Sequence, residues 1–214
     1  MRLATRRATS TAGLELLDDL PAGTRLSVNL SGPLLLDVRI DELLRSARHL
    51  DRLILEVTEN SLLEETPGLI AAISRLIADG IHFAVDDMGA GYSGLRQITT
   101  VRPNYIKLDR SLISGIDTDP DRGALVAAML GYVHQTGGHL VAEGVETEAE
   151  LQTLLDLGVT LIQGYLLGRP GAPWPAVAAQ EPAMLSPASS GAIRSEVTLH
   201  GGQAEPRGAA AHTP

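Results

Sequence analysis

Six short apolar runs in this chain end in charged or amide side chains, and this pattern constrains the fold more than any other feature. The residues that close the runs are Asn29, Glu56, Asp86, Asp87, Lys107, Glu143 and Gln163. In a barrel of parallel strands, the carboxyl ends of the strands meet at one face, so these side chains are expected to converge. Carboxylates gathered there repel one another unless a hard cation lies among them, and Mg²⁺ and Mn²⁺ prefer such oxygen ligands.

The runs alternate with segments of helical periodicity, which predicts an α/β fold with parallel strands. The expected strands are LSVNL (26–30), LILEV (53–57), IHFAVD (81–86), YIKLD (105–109), HLVAE (139–143) and VTLIQG (159–164). We interpret them as part of a TIM-type (β/α)8 barrel, although such a barrel has eight strands. An open doubly wound sheet is the alternative, and it is less favoured because no glycine-rich phosphate loop follows the first run.

Composition limits the function classes. The chain has 214 residues, of which 44% are hydrophobic and 3% aromatic, so one domain with an aliphatic core is expected. The net charge of −9 argues against binding to a nucleic-acid polymer, which requires a basic surface. The chain has no cysteine and no apolar run long enough to span a membrane, so we expect a cytoplasmic protein without membrane contact.

A change in composition marks the end of the predicted domain. From about residue 171 the chain is rich in Ala, Gly, Pro and Ser, and residues 183–214 are predicted to be a disordered tail. The domain itself is placed at 21–182. Residues 1–20 are interpreted as the remnant of a helix that leads into the first strand.

Several site residues also have ordinary structural interpretations. Asp86 and Asp87 could form a turn with a helix cap, because Asp is a frequent N-cap residue. Glu56 lies inside a buried run, where an unpaired carboxylate is costly, so it requires a metal or another cation. Lys107 is expected either to pair with the carboxylates or to hold a phosphate or an attacking water.

Three further positions are ambiguous on sequence alone. Glu59 could be a surface or capping residue, and Asn29 could satisfy backbone groups rather than bind a metal. Thr147 followed by Glu150 predicts a capping box at the start of a helix.

Taken together, the segments resemble the EAL domain, a bacterial family of phosphodiesterases that hydrolyse cyclic di-GMP to the linear dinucleotide. The resemblance covers about 20–175 and rests on six segments in the family's order: SVNLS, LEVTE, DDMGAGYSGL, YIKLDR, AEGVETEAEL and QGYLLGRP. It implies a (β/α)8 barrel whose first strand is antiparallel to the others. It also implies cyclic di-GMP as the ligand and a homodimer formed through the segment after Asp87.

The resemblance further implies roles for individual residues. A first Mg²⁺ or Mn²⁺ ion would be bound by Asn29, Glu56 and Asp86, and a second by Asp86, Asp87 and Glu143. Catalytic roles fall to Lys107 and Glu143. Substrate contacts fall to Gln163 and Asn29, and Glu59 would support the loop at 88–94.

The start of the chain departs from the family pattern. Only 28 residues precede Asn29, and GLELLDD (13–19) does not match the Glu-Ala-Leu signature. We therefore expect a barrel without its first two strands and a first metal site that lacks one carboxylate. Three explanations remain open: Met1 is internal to a longer protein, the chain is a decayed fragment, or a partner completes the domain.

Three functions follow from these observations. The first is a metal-dependent phosphodiesterase for cyclic di-GMP, favoured by the intact segments. The second is a catalytically inactive module that binds this nucleotide or another protein, favoured by the absent signature glutamate. The third, an unrelated barrel that uses a divalent cation for proton abstraction, is disfavoured by DDMGAGYSGL and AEGVE.

Overall fold

One sheet of parallel strands organises the residues that the computed structural model describes, namely 2–5, 17–18, 20–63, 67–89, 95–169, 194–195 and 197–198. The strands are β1 Arg2–Thr5, β2 Thr24–Asn29, β3 Leu53–Thr58, β4 His82–Met88, β5 Tyr105–Leu108, β6 His139–Ala142, β7 Leu161–Ile162, β8 Arg194–Ser195 and β9 Val197–Thr198. Their order across the sheet is β8-β7-β6-β5-β4-β3-β2-β1-β9. From β2 to β7, strands adjacent in the chain are therefore adjacent in the sheet, as a curled half-barrel requires.

Helices connect successive strands, as parallel pairing demands. They are α1 Gly32–Leu35, α2 Val38–Ser46, α3 Glu59–Leu63, α4 Leu69–Ala78, α5 Leu95–Val101, α6 Arg110–Ile113, α7 Pro120–Thr136 and α8 Glu148–Asp156, with a 3₁₀ turn at Leu50–Arg52. This arrangement confirms the predicted α/β fold of the barrel type.

Local sequence signals define where the helices begin and end. The Asp119 side chain accepts hydrogen bonds from the backbone N–H groups of Asp121 and Arg122, and Pro120 occupies the first helical turn of α7. Gly137, at a φ of 75°, ends the same helix in the left-handed conformation that glycine tolerates best. The predicted capping box between Thr147 and Glu150 is present at the start of α8.

The two faces of the sheet bury different apolar layers, because side chains alternate along each strand. The outer face packs against the helices and includes Leu53, Leu55 and Val57 of β3 together with Ile73 of α4. The inner face holds a smaller cluster made of Ile54, Ala84, Tyr105, Val141 and Leu161. One residue from each of β3 to β7 therefore closes the interior of the half-barrel.

Two expectations about the ends of the chain need correction. Residues 1–20 are not all the remnant of a helix, because Arg2–Thr5 form β1 and pair in parallel with β2. β2 is therefore not an edge strand, and the sheet has one more strand before Asn29 than the sequence predicts. Within the predicted disordered tail at 183–214, β8 and β9 pair with β7 and β1, while the rest of that range lies outside the described residues.

Within the described ranges, no helix has both the length and the apolar character needed to cross a bilayer.

Candidate functional site

A polar layer lies directly above the inner apolar cluster. Each of its members follows a member of that cluster by two positions, on the same strand or directly after its end, so both face the interior. The pairs are Ile54 and Glu56, Ala84 and Asp86, Tyr105 and Lys107, Val141 and Glu143, and Leu161 and Gln163. The predicted convergence of strand ends thus follows from the alternation of side chains along β3 to β7.

Lys107 is the centre of this layer. Its Nζ atom lies 2.7 Å from Oε1 of Glu143, 3.0 Å from Oδ1 of Asp86 and 3.1 Å from Oε2 of Glu56. Lys107 and Glu56 are 3% and 1% exposed, so these ion pairs lie out of bulk water. A buried ammonium group thus binds carboxylates from three different strands, which fixes the mutual positions of their ends.

An irregularity in β4 brings two consecutive carboxylates to the same place. The register with β5 shifts between Val85 and Met88, as in a β-bulge. Asp87 adopts a φ of +56°, a left-handed conformation that Asp tolerates better than most residues. Oxygen atoms of Asp86, Asp87 and Glu143 consequently lie within 4.8 Å of one another. Regular alternation would instead have directed Asp87 to the opposite face of the sheet.

Several buried oxygen atoms in this layer have no hydrogen-bond donor among the described residues apart from the Lys107 ammonium group. They are Oε2 of Glu56, Oε1 of Glu143 and Oε1 of Gln163. The two glutamate atoms share that ammonium group with Asp86. Buried acceptors with too few donors are costly, and a bound cation or a ligand donor would satisfy them.

Burial has a clear electrostatic consequence for both glutamates. Desolvation raises the pKa of Glu143 to about 7, with the Asp86 and Glu56 charges adding to the rise and Lys107 opposing it. Desolvation likewise raises the pKa of Glu56, against the lowering effect of Lys107 and of the Ser27 hydroxyl. Both groups therefore hold a proton more readily than an exposed glutamate does.

The remaining predicted residues surround this centre. Asn29 is the register partner of Glu56 across β2 and β3 and is half-buried. Gln163 follows β7, and its backbone carbonyl oxygen accepts a hydrogen bond from the Val145 N–H at 3.1 Å. Glu59 is buried at the start of α3, and its Oε2 accepts a hydrogen bond from the Gly89 N–H at 3.3 Å. This contact joins Glu59 to the beginning of the segment at 88–94, of which 90–94 lie outside the described residues.

The donor set fits divalent cations that prefer oxygen. Three carboxylates, from Glu56, Asp86 and Glu143, contact a single ammonium group, and a fourth, from Asp87, lies close to those of Asp86 and Glu143. This excess of negative charge over one shared ammonium group favours cation binding. Asp86, Asp87 and Glu143 are the residues whose oxygen atoms are already close enough to share an ion.

Comparison with known proteins establishes the family. The model of the EAL domain matches residues 2–170. This chain belongs to the EAL domain family. Its sequence is 36% identical over 159 residues to the bifunctional diguanylate cyclase/cyclic di-GMP phosphodiesterase MucR of Pseudomonas aeruginosa, covering 72% of this chain and 23% of that protein. It is 32% identical to the probable cyclic di-GMP phosphodiesterase PdeG of Escherichia coli, covering 71% and 31%.

Solved EAL domain structures have the same fold. The BlrP1 protein of Klebsiella pneumoniae, in a complex with calcium and cyclic di-GMP, superposes with a TM-score of 0.67 at 33% identity, covering 74% of this chain and 42% of that one. The same protein in a manganese and cyclic di-GMP complex also gives 0.67, at 32% identity over the same shares. The EAL domain described here thus spans less than half the length of these relatives.

Sequence reasoning missed two contributors to the site. The Ser27 hydroxyl donates a hydrogen bond to Oε1 of Glu56, and Ser27 precedes Asn29 by two residues on the same strand face. Arg110 forms an ion pair with Glu146 at 2.6 Å beside the site. Strict application of the two-residue period to β2 could have revealed Ser27, whereas Arg110 lies outside any strand and gave no such signal.

Proposed function

We propose that this domain binds cyclic di-GMP and hydrolyses it to the linear dinucleotide with Mg²⁺ or Mn²⁺. The observation that carries the proposal is the group of carboxylates from three strands around Lys107, with Asp86, Asp87 and Glu143 near enough to share a cation. Relatives whose names or complexes include cyclic di-GMP support the choice of ligand. One solved relative, BlrP1, was solved in complexes with calcium and with manganese.

The residues that would hold the metal ions follow from the donor set. Asn29, Glu56 and Asp86 would bind a first ion, and Asp86, Asp87 and Glu143 a second. When bound, divalent ions neutralise the charge of a phosphodiester and act as Lewis acids toward it. The burial of Glu56 and the short distances among the other three carboxylates support this assignment.

The chain's own groups would then handle the proton and the phosphate. Glu143, which lies close to Asp86 and Asp87, would accept the proton of a water that attacks phosphorus. Water adds to phosphorus, the bond from phosphorus to one ribose oxygen breaks, and that oxygen takes up a proton. Lys107 would orient the carboxylates and the phosphate, while Gln163 and Asn29 would contact the nucleotide. Glu59 would hold the loop after β4 through Gly89.

A second candidate is a module that binds cyclic di-GMP without hydrolysing it. One observation favours it: the strand beside β2 is β1, whose residues Arg-Leu-Ala-Thr include no acid. A first metal site formed without a carboxylate from that strand would depend more heavily on Glu56 and Asp86.

Hydrolysis of cyclic di-GMP by the purified chain, with Mg²⁺ and separately with Mn²⁺, tests the two candidates. Glu56→Ala is the inactivating variant, and Glu42→Ala, on the exposed face of α2, is the matched control. We expect turnover in the wild type and the control and none in Glu56→Ala. Nucleotide binding by folded wild type without turnover would support the second candidate instead, and neither binding nor turnover would refute both.

Three further assignments remain proposals. They are a homodimer formed through the segment after Asp87, a cytoplasmic location, and an end of the domain at 182, whereas its predicted start at 21 is not compatible with the pairing of Arg2–Thr5 and β2. Sedimentation of the purified chain with and without cyclic di-GMP tests the first of them.

A further inference from the structure

Glu150 is a buried carboxylate that the proposed reaction does not use. It lies in the first turn of α8 and is 5% exposed. Burying an ionised group is costly unless several donors compensate for the lost water. Its environment therefore indicates what the side chain does.

Three backbone N–H groups donate to this carboxylate. Oε2 accepts from Glu146 at 3.0 Å and from Thr147 at 3.1 Å, while Oε1 accepts from Gly115 at 3.0 Å. Burial alone would raise the pKa of Glu150, but these N–H donors outweigh it and lower the pKa. The carboxylate is thus held in its ionised, hydrogen-bonded form.

These contacts exceed what helix capping requires. A capping box needs only the reciprocal bonds between Thr147 and Glu150, and both are present. The additional bonds to Glu146 and Gly115 tie the loop before α8 to the turn between α6 and α7. One side chain therefore fixes two connections that follow neighbouring strands, β5 and β6.

The loop that Glu150 fixes is residues 143–147, which begin with Glu143. Two backbone hydrogen bonds also hold this loop. The Glu143 N–H donates to the backbone carbonyl of Leu108 at 3.1 Å, and the Val145 N–H donates to the backbone carbonyl of Gln163 at 3.1 Å. A Cβ atom on Gly144 would lie 2.6 Å from Cβ of Arg110, so the loop backbone rests directly against α6. A loop packed this tightly transmits a shift at Glu146 and Thr147 to Glu143.

We propose that Glu150 is a positioning residue, which holds the 143–147 loop so that Glu143 reaches Lys107 and the neighbouring carboxylates of β4. The proposal rests on the proposed function for the role of Glu143 in metal binding. The positioning itself rests on the hydrogen bonds of Glu150 alone.

The test compares Glu150→Ala with Glu150→Gln, and with Glu148→Ala as a control at an exposed position of the same helical turn. Amide hydrogen exchange at Glu143 and Val145 and the affinity for Mn²⁺ are measured on each folded chain. In Glu150→Ala we expect at least tenfold faster exchange at both amides and at least tenfold weaker Mn²⁺ binding. Glu150→Gln retains one oxygen acceptor for Glu146 and Thr147, so it should recover most of both properties, and the control should match the wild type.

The two readouts separate this proposal from the proposed function. If the wild type does not bind Mn²⁺, the metal-dependent function fails, and exchange at Glu143 and Val145 alone decides the positioning. Unchanged exchange at these amides in Glu150→Ala overturns the proposal, as does unchanged Mn²⁺ affinity when the wild type binds the ion. If Glu150→Ala does not fold, Glu150→Gln decides the question. The amide nitrogen of Gln cannot accept the hydrogen bond from Gly115, so the exchange rate at the Glu143 amide should be higher than in the wild type. An exchange rate equal to that of the wild type overturns the proposal.

Discussion

The Nζ atom of Lys107 lies 2.7 Å from Oε1 of Glu143, and the same ammonium group also contacts Glu56 and Asp86. A single cation thus compensates for three carboxylates inside the half-barrel. Divalent ions bound to these carboxylates would supply the same compensation, so Lys107 and metal ions stabilise the layer by the same means.

Replacing Lys107 with Met should destabilise the metal-free protein more than the metal-loaded one. Removing one partner of a buried ion pair leaves charge without compensation and costs about 3–5 kcal/mol. We expect Mn²⁺ to restore much of this loss, because it compensates for the same carboxylates. Thermal unfolding of wild type and Lys107→Met, each with and without Mn²⁺, measures the effect. Equal stabilisation of both chains by Mn²⁺ would contradict the prediction.

The raised pKa of Glu143 predicts how stability depends on pH. Its pKa is about 7 in the folded chain, compared with 4.5 as the reference value. The contribution of this group to stability is therefore fully present below 4.5 and is lost as pH rises through about 7. Unfolding of the metal-free protein as a function of pH should show this loss in the wild type. In Glu143→Gln, which cannot ionise at this position, the corresponding part of the pH dependence should disappear.

Metal affinity should change with pH in the opposite direction. A cation competes with the proton on Glu143, so binding of Mn²⁺ should strengthen as pH rises toward 7 and level off above it. Calorimetric titrations at several pH values, with the buffer's protonation heat subtracted, should also detect proton release below pH 7. Affinity that is independent of pH below 7 would refute the role of Glu143 as a ligand.

Because Asp87 has a positive φ, mutations can separate the effect of its charge from the effect of its backbone conformation. Asn also tolerates a positive φ, so Asp87→Asn should retain stability and weaken Mn²⁺ binding at least tenfold. Asp87→Val removes the same carboxylate and also places a β-branched side chain at a φ of +56°, which should cost about 1–2 kcal/mol more. Chemical unfolding and Mn²⁺ titration of both variants check these outcomes. Equal stability of the two would show that the backbone at Asp87 relaxes.

Gly164 is predicted to be intolerant of any side chain. A Cβ atom there would lie 2.1 Å from the carbonyl oxygen and 2.3 Å from the nitrogen of Val145, both backbone atoms. Gly164→Ala should therefore displace the loop that carries Glu143 and lower both stability and Mn²⁺ affinity. At Gly131, inside α7, an added Cβ atom would have no heavy atom within 4 Å outside its own helix backbone and chain neighbours. Gly131→Ala should accordingly stabilise the chain by about 0.5–1 kcal/mol without changing metal binding.

Much of this arrangement is predictable from the sequence because the two-residue period of a strand relates the apolar layer to the polar one. Ile54 with Glu56, and Tyr105 with Lys107, already place the site on the inner face. The sequence predicts Asp87 at the site, but the backbone conformation that brings it there could not be predicted, because a β-bulge with a φ of +56° has no periodic signature. Pairing of Arg2–Thr5 with β2 is a long-range contact, which local patterns do not report.

The two-residue period also determines which kinds of genetic change this domain can accept. A single-residue insertion or deletion within β5 would exchange Tyr105 and Lys107 for Ile106 and Leu108 on the inner face. Such a change would place the apolar side chains of Ile106 and Leu108 among the carboxylates, and the Lys107 ammonium group on the outer face beneath the helices. Diversification of the strands is consequently restricted to point substitution, whereas the connections between the elements are not subject to the two-residue period.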